Sequence, residues 1–159
     1  MKNAICSFLS LFVSLTLAGC GAGGGKAQEG NLPTYTESEF LADVTNLNAT
    51  EKSLEGVGLK FESEMKYENG LQTNTISWDS QFMRNYFAGH PYATQKDMVP
   101  ALENYVKVAN AYVKKYGPPF NLKKNDGAVE AKQLFESTKT DIDLKVGVAN
   151  RTVQKLKSP

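Results

Sequence analysis

The spacing of apolar residues between positions 36 and 58 predicts a first helix. The stretch Thr36-Glu37-Ser38-Glu39 fits a capping box, in which the threonine and the last glutamate each accept a hydrogen bond from the other's backbone N–H. Gly56 and Gly58 close the run, so we expect the helix to begin at Thr36 and to end before these glycines. The apolar residues that recur at helical spacing are Phe40, Leu41, Val44, Leu47 and Leu54.

The period changes to two after residue 57, which predicts a β-hairpin over about residues 57–78. Apolar and charged side chains alternate up to position 68, as in a strand with one buried face. Asn69-Gly70 follows, and this pair is a strong signal for a two-residue hairpin turn because both positions must adopt positive φ. Pairing across the turn sets Phe61 opposite Trp78 and Ser63 opposite Ile76, and we expect these four residues on the apolar face.

Boundary residues mark two further helices. A short helix is predicted over residues 80–88, because Gly89 and Pro91 end the pattern. A longer helix follows, with Asp97 as its N-cap and Gly117 at its end. We interpret its tyrosines as the boundary of the core, with a binding groove as the alternative. Its predicted apolar stripe consists of Met98, Leu102, Tyr105, Ala109, Tyr112 and Tyr116.

Helical spacing also predicts a last helix from residue 127 to about residue 145, antiparallel to the preceding long one. Ile142, Leu144, Val146 and Val148 alternate strictly, however, and Gly147 interrupts them. We therefore expect a break between residues 140 and 147, and residues 140–149 fit a helix or a strand. Together the elements predict one globular domain over residues 34–159, of the α+β class and mostly helical; an all-α bundle is the alternative.

The charge balance narrows the classes of function. The chain has 18 basic and 17 acidic residues, one histidine and two cysteines. Near-neutrality argues against a nucleic-acid binder, and so few histidines and cysteines favour neither a metal nor a cofactor. Residues 27–90 carry ten acids and four bases, and residues 91–159 carry seven acids and twelve bases. We expect the two halves to pack together and neutralise each other. The alternative is a basic face that meets anionic lipid or an acidic partner, formed by Lys114, Lys115, Lys123 and Lys124.

The first twenty residues have the organisation of an export signal. Lys2 precedes an apolar run from Ile5 to Leu17, which is too short to span the ~30 Å bilayer core as a helix. The run ends in Leu17-Ala18-Gly19-Cys20, which resembles the lipobox of bacterial lipoproteins. The resemblance implies that residues 1–19 are removed and that the thiol of Cys20 carries the lipid that attaches the protein to a bilayer.

The segment after Cys20 predicts both a tether and a location. Residues 20–33 are rich in glycine and resemble a flexible coil that spans roughly 20 Å. The residue after Cys20 is Gly21 rather than aspartate, so the inner-membrane retention signal of enterobacterial lipoproteins is absent. We therefore expect the periplasmic face of the outer membrane, with the inner membrane and a Gram-positive cell surface as alternatives.

Polar residues give little indication of catalysis. His90 is the single imidazole, it precedes a proline in a predicted loop, and no serine–histidine–aspartate spacing accompanies it. Asp141 and Asp143 have no apolar pocket in the pattern that would separate their pKa values, so we interpret them as solvated charges. Glu62, Glu64 and Asp79 form no recognisable catalytic set. The sequence therefore predicts that the protein is not an enzyme.

Aromatic residues are concentrated between positions 78 and 92. Large side chains of this kind fill the core of a small domain, but those with a polar tip also suit interfaces. We single out five of them as a possible partner or ligand surface: Trp78, Phe82, Tyr86, Phe87 and Tyr92.

Two hypotheses of function follow. The first is a non-enzymatic, membrane-anchored lipoprotein that binds another envelope protein as an adaptor, assembly chaperone, or inhibitor of the immunity type. It depends on Cys20, the tether, the missing catalytic set and the aromatic residues. The second is a carrier lipoprotein that holds a small molecule or a lipid in a pocket between the hairpin and the helices, lined in part by Met65 and Met83.

Overall fold

The computed structural model describes residues 32–123 and 128–158. The predicted signal peptide (residues 1–19), Cys20 and the tether as far as residue 31 lie outside the described residues, as does Lys124. Within the described part of the chain, no helix is long and apolar enough to cross a membrane.

The protein is mostly helical with a small β component, so the predicted α+β class is confirmed. A single 3₁₀ turn at Leu54–Val57 precedes the hairpin. Another, at Gln95–Asp97, precedes the helix that begins at Met98. In chain order the elements are β1 (Thr34–Tyr35), α1 (Glu37–Ser53), β2 (Phe61–Glu68), β3 (Leu71–Trp78), α2 (Ser80–Gly89), α3 (Met98–Tyr116), β4 (Asn121–Leu122) and α4 (Ala128–Lys157).

Helix α1 begins with the predicted capping box. The hydroxyl of Thr36 accepts a hydrogen bond from the backbone N–H of Glu39 at 3.1 Å, and the Glu39 carboxylate accepts one from the backbone N–H of Thr36 at 2.7 Å. After the 3₁₀ turn, the chain reverses at Gly58 with φ +81°. One expectation was wrong: Leu41 is 50% exposed, because it faces away from the neighbours that cover Phe40.

The hairpin has the predicted register. Phe61 is paired with Trp78 and Ser63 with Ile76, and the turn residues Asn69 and Gly70 have φ of 52° and 76°. Burial, however, differs from the prediction of a half-buried strand. Seven of the eight residues of β2 and six of the eight of β3 are exposed, because only the base of the hairpin, at Phe61 and Trp78, packs against the core.

Helices α3 and α4 form the predicted long pair and pack against each other. All six residues of the predicted stripe on α3 are buried, so its tyrosines belong to the core. Asp97 does not cap α3 with its side chain; its carboxylate instead accepts hydrogen bonds from the N–H and hydroxyl of Thr94, which start the 3₁₀ turn.

The predicted break in the last helix was wrong. Helix α4 is continuous over residues 128–157, through Gly147. Both α3 and strand β3 pack on α4, so apolar residues are needed on more than one of its faces. Ile142, Val148 and Ala149 are buried and Leu144 and Val146 are half-buried, and this wide apolar surface produced the apparent alternation.

Candidate functional site

Trp78 holds the hairpin to the helices. Its ring stacks on that of Phe61 with centroids 4.3 Å apart, and its indole N–H donates to the Thr152 hydroxyl of α4 at 2.9 Å. Phe61 in turn contacts the buried ring of Tyr105 on α3. Trp78, which the sequence analysis assigned to the partner or ligand surface, is therefore half-buried at the base of the hairpin.

The aromatic residues of α2 are largely engaged by neighbours. The Tyr86 hydroxyl donates to the Gly56 carbonyl at 2.6 Å, and its ring stacks on His90 at 4.2 Å. Phe87 packs against the core and meets Tyr86 edge to face. The ring of Phe82 lies under the ammonium group of Lys60, 5.7 Å away.

The five predicted residues do not form one continuous aromatic surface. Within residues 32–123 and 128–158, ring contacts join Tyr86 to Phe87 but join neither of them to Trp78, Phe82 or Tyr92. Tyr92 is 95% exposed in the loop between α2 and α3. Only Tyr92 presents a whole ring to solvent, so a partner surface built from all five residues is not assembled by the fold.

Three exposed large apolar side chains lie together on the hairpin, in the segment that we call the hairpin arm (residues 62–75). Met65 is 53% exposed, and Tyr67 and Leu71 are each 70% exposed. The sulfur of Met65 accepts hydrogen bonds from the Tyr67 hydroxyl and the Gln72 amide, at 3.1 Å and 3.2 Å, which orders these side chains on one face.

The sequence of β3 indicates that the hairpin arm is exposed, although the alternation in β2 predicts a buried face. A strand packed on a core has apolar residues at every second position. In β3, however, the four residues between Leu71 and Ile76 are all polar and uncharged. This polar run pairs with residues 64–67 of β2, so the arm has no continuous apolar face for the core to cover.

A partly buried ion cluster lies beside the base of the hairpin. The Lys145 ammonium donates to both oxygens of Glu51, at 2.8 and 3.0 Å, and to Asp141 at 2.9 Å. Burial alone would lower the pKa of Lys145, but the hydrogen bonds to the two carboxylates outweigh it and raise the pKa. The nearby Tyr105 hydroxyl is buried and has no hydrogen-bond partner among the described residues.

A second ion pair joins α1 to α3. The Asp43 carboxylate accepts hydrogen bonds from the Lys115 ammonium and the Tyr116 hydroxyl, each at 2.7 Å. Burial opposes ionisation of Asp43, but these two hydrogen bonds lower its pKa, and burial with the same hydrogen bond raises the pKa of Tyr116 to about 12. Lys115 is thereby engaged in a half-buried ion pair, and Lys114 and Lys123 are exposed.

These ion pairs bear on the charge asymmetry of the sequence. Lys115–Asp43 and Lys145–Glu51 each link a base of the second half to an acid of the first. The expectation that the halves neutralise each other therefore holds at these two contacts. Of the predicted basic face, Lys114 and Lys123 are exposed and Lys115 is paired with Asp43, whereas Lys124 lies outside the described residues.

Of the two aspartates interpreted as solvated charges, Asp143 is exposed on α4, whereas Asp141 is half-buried in the ion cluster around Lys145. Asp141 pairs with Lys145 and Asp143 with Lys139, and both keep about a third or more of their side chain exposed. His90 is exposed, and its Nδ1 lies 2.8 Å from the Tyr86 carbonyl oxygen. Among the described side chains, no group of three histidine, cysteine or carboxylate residues could hold a metal ion.

An open groove of about 280 Å³ lies between β3 and α4. Asn74, Thr75 and Ile76 line one side, and Asp143, Gly147 and Arg151 are among the residues of the other. Gly147 leaves room for Arg151, since a β-carbon there would stand 3.4 Å from the guanidinium. This groove and the hairpin arm, which share Asn74 and Thr75, are the two surface features that bear on the hypotheses of function. Comparisons of the chain with protein-family models, with curated proteins and with solved structures gave no match.

Proposed function

We propose that the protein is a non-enzymatic lipoprotein that is attached to the envelope through Cys20 and binds another envelope protein with its hairpin arm. The observation that carries the proposal is the exposure of Met65, Tyr67 and Leu71 on a two-stranded sheet. A hairpin without a covering layer gains little stability by itself, and exposed apolar side chains grouped on one projection are typical of interaction sites.

The attachment rests on the resemblance of Leu17-Ala18-Gly19-Cys20 to a lipobox. Acyl chains on Cys20 would hold the domain durably at the bilayer, and the following glycine-rich segment would let it search a radius of roughly 20 Å. We propose the periplasmic face of the outer membrane as the location. Replacement of Cys20 by serine should release the protein from the membrane fraction, and intact-mass measurement should then find no lipid. An unaltered membrane association would contradict the attachment.

Site-specific photo-crosslinking tests the hairpin arm as the interaction surface. A photoreactive amino acid at Tyr67 of the full-length protein should give a discrete adduct with one envelope protein in the native membrane. The matched positions are Tyr92, which is an exposed aromatic residue off the arm, and Asn110, which is exposed on α3. An adduct from Tyr92 or Asn110 and none from Tyr67 would refute the arm as the binding surface.

A second variant separates binding from folding. Tyr67→Ser combined with Leu71→Ser should abolish capture of the partner and leave the midpoint of unfolding nearly unchanged, since both side chains are largely solvated. A large loss of stability would show that the two residues serve the fold instead.

The second candidate function is a carrier, and the groove between β3 and α4 favours it. Arg151 has no carboxylate within salt-bridge distance among the described side chains, so its guanidinium suits an anionic group of a small ligand. Native mass spectrometry of the extracted protein should then show a small added mass that Arg151→Gln removes. A bare protein mass together with a protein adduct at Tyr67 would reject the carrier.

A further inference from the structure

The outer edge of β2 is the free edge of the hairpin. Among residues 32–123 and 128–158, β2 is hydrogen-bonded to β3 alone. Strand β3 packs on α4, whereas the main contacts of β2 are with β3. A strand edge without a neighbour carries a row of unpaired backbone donors and acceptors, to which another strand can add.

The turn determines which residues of β2 offer these backbone groups. Positive φ at both Asn69 and Gly70 defines the two-residue turn, so the residues flanking it exchange both of their backbone hydrogen bonds. Pairing then alternates along the strand. Ser63, Met65 and Tyr67 consequently direct their N–H and C=O groups outward, and all three residues are exposed.

The side chains of β2 give this edge a definite chemistry. Ser63, Met65 and Tyr67 share one face of the strand. Glu62, Glu64, Lys66 and Glu68 share the other, three acids against one base. Strand β3 carries no charged residue, so nothing on the paired strand offsets the surplus of two negative charges.

This charge pattern disfavours a second copy of the chain as the added strand. Antiparallel pairing of two copies about Met65 sets Glu64 of each opposite Lys66 of the other, but it also sets Glu62 of each opposite Glu68. Centring the pair on Glu64 sets Glu62 of each opposite Lys66 of the other but also sets the two Glu64 side chains opposite each other. Centring it on Lys66 opposes the two lysines and sets Glu64 of each opposite Glu68. Each of these pairings therefore leaves like charges opposed. Like charges at opposed positions destabilise a sheet, whereas opposite charges there stabilise it.

We infer that β2 accepts an extended segment of a partner protein as a third strand, with basic side chains at alternate positions against Glu62, Glu64 and Glu68. The residues between them are apolar and contact Met65 and Tyr67. This inference rests on the proposed function and specifies the partner: backbone hydrogen bonds supply affinity, and the alternate charges fix the register.

Binding of model peptides to the full-length protein in detergent tests the inference. The probe is a blocked peptide of eight residues, the length of β2, in which valine alternates with lysine, except that glutamine takes the position opposite Lys66. A peptide of the same composition with all lysines in one block, and one with glutamate replacing lysine, are its controls. We expect the alternating lysine peptide to bind more tightly than the block peptide by on the order of tenfold, and the glutamate peptide not to bind. Equal affinity for the alternating and block peptides would overturn strand addition.

Two variants probe the backbone and the charges separately. Met65→Pro removes an outward N–H that the hairpin does not use, so peptide binding should be lost while Trp78 fluorescence stays native. Should proline unfold the hairpin, the triple variant Glu62→Gln, Glu64→Gln and Glu68→Gln decides, because it keeps the backbone. It should weaken binding about tenfold, whereas glutamine at Glu37, Glu103 and Glu136, outside the hairpin, should not.

The outcomes distinguish this inference from the proposed function. Retention of the Tyr67 photo-adduct in a folded Met65→Pro variant would leave the hairpin arm as the binding surface and overturn strand addition. Absence of the adduct when the photoreactive residue at Tyr67 is the only change would refute the proposed function itself. A dimer in analytical ultracentrifugation that Met65→Pro dissociates would make a second copy the occupant and overturn the basic partner strand.

Discussion

Replacement of Tyr105 by phenylalanine should stabilise the protein. The Tyr105 side chain is fully buried, and its hydroxyl has no hydrogen-bond partner among the described residues. An unsatisfied buried hydroxyl costs roughly 1–3 kcal/mol. Loss of the oxygen leaves a void of about 15 Å³ at most, which costs roughly 0.4 kcal/mol. The free energy of unfolding should therefore rise by about 1 kcal/mol, which corresponds to a rise in Tm of roughly 3–6 °C for a domain of this size.

A matched substitution on the same helix should act in the opposite direction. The Tyr116 hydroxyl donates to the Asp43 carboxylate at 2.7 Å, so Tyr116→Phe removes a hydrogen bond to a charged group. Such a bond stabilises by roughly 1.5–3 kcal/mol, and we expect a loss of that order. The two variants change the same atom in the same kind of residue, and only the partner of the hydroxyl differs.

Urea unfolding followed by Trp78 fluorescence measures both effects. Trp78 is the single tryptophan of the chain, and its stacking on Phe61 makes it sensitive to loss of the core. The midpoint should rise for Tyr105→Phe and fall for Tyr116→Phe, with similar m-values. A fall of about 1 kcal/mol or more for Tyr105→Phe would refute the reasoning, because it would mean that the hydroxyl is satisfied.

Three further substitutions test the base of the hairpin and the α1–α3 ion pair. Gly58→Ala should destabilise by at least about 2 kcal/mol in the same urea assay, since φ is +81° and a β-carbon would stand 2.5 Å from the Tyr86 ring. Thr152→Val should cost about 1 kcal/mol, because it removes the acceptor of the Trp78 indole N–H. Asp43 has a lowered pKa, so its stabilising contribution is present above its ordinary value of 3.8 and is lost as pH falls through the lower folded-state value. Asp43→Asn should therefore flatten the loss of stability as pH falls below 3.8.

Matched controls accompany these substitutions. Gly56→Ala has open space around the added carbon and should be nearly neutral. Asn150→Ala, exposed on the same helix as Thr152, should leave the urea midpoint in place. Asp143→Asn removes an exposed carboxylate from α4 and should leave most of the loss of stability at low pH unchanged. Equal effects from any control and its partner variant would show that the assigned contact does not produce the change.

The candidate surface was only partly accessible from the sequence. Aromatic density drew the prediction to residues 78–92, but Trp78 and Phe87 pack inward because the neighbouring α4 and the core offer them contacts. Whether an aromatic side chain is exposed depends on elements that are distant in the chain. The spacing of neighbouring residues does not determine where those elements lie. For the same reason, the strand predicted to have one buried face leaves Met65 and Tyr67 exposed.

Local chemistry by itself determined only part of the fold. The capping box at Thr36, the turn at Asn69-Gly70 with its register, and the stripe on α3 all appear as predicted, because each depends on residues close together in the chain. Tertiary structure alone decided that residues 140–149 are helical and that the hairpin arm is uncovered. Packing of α3 and β3 on different faces of α4 outweighed a local alternation that fits a strand, and only the base of the hairpin packs against the core.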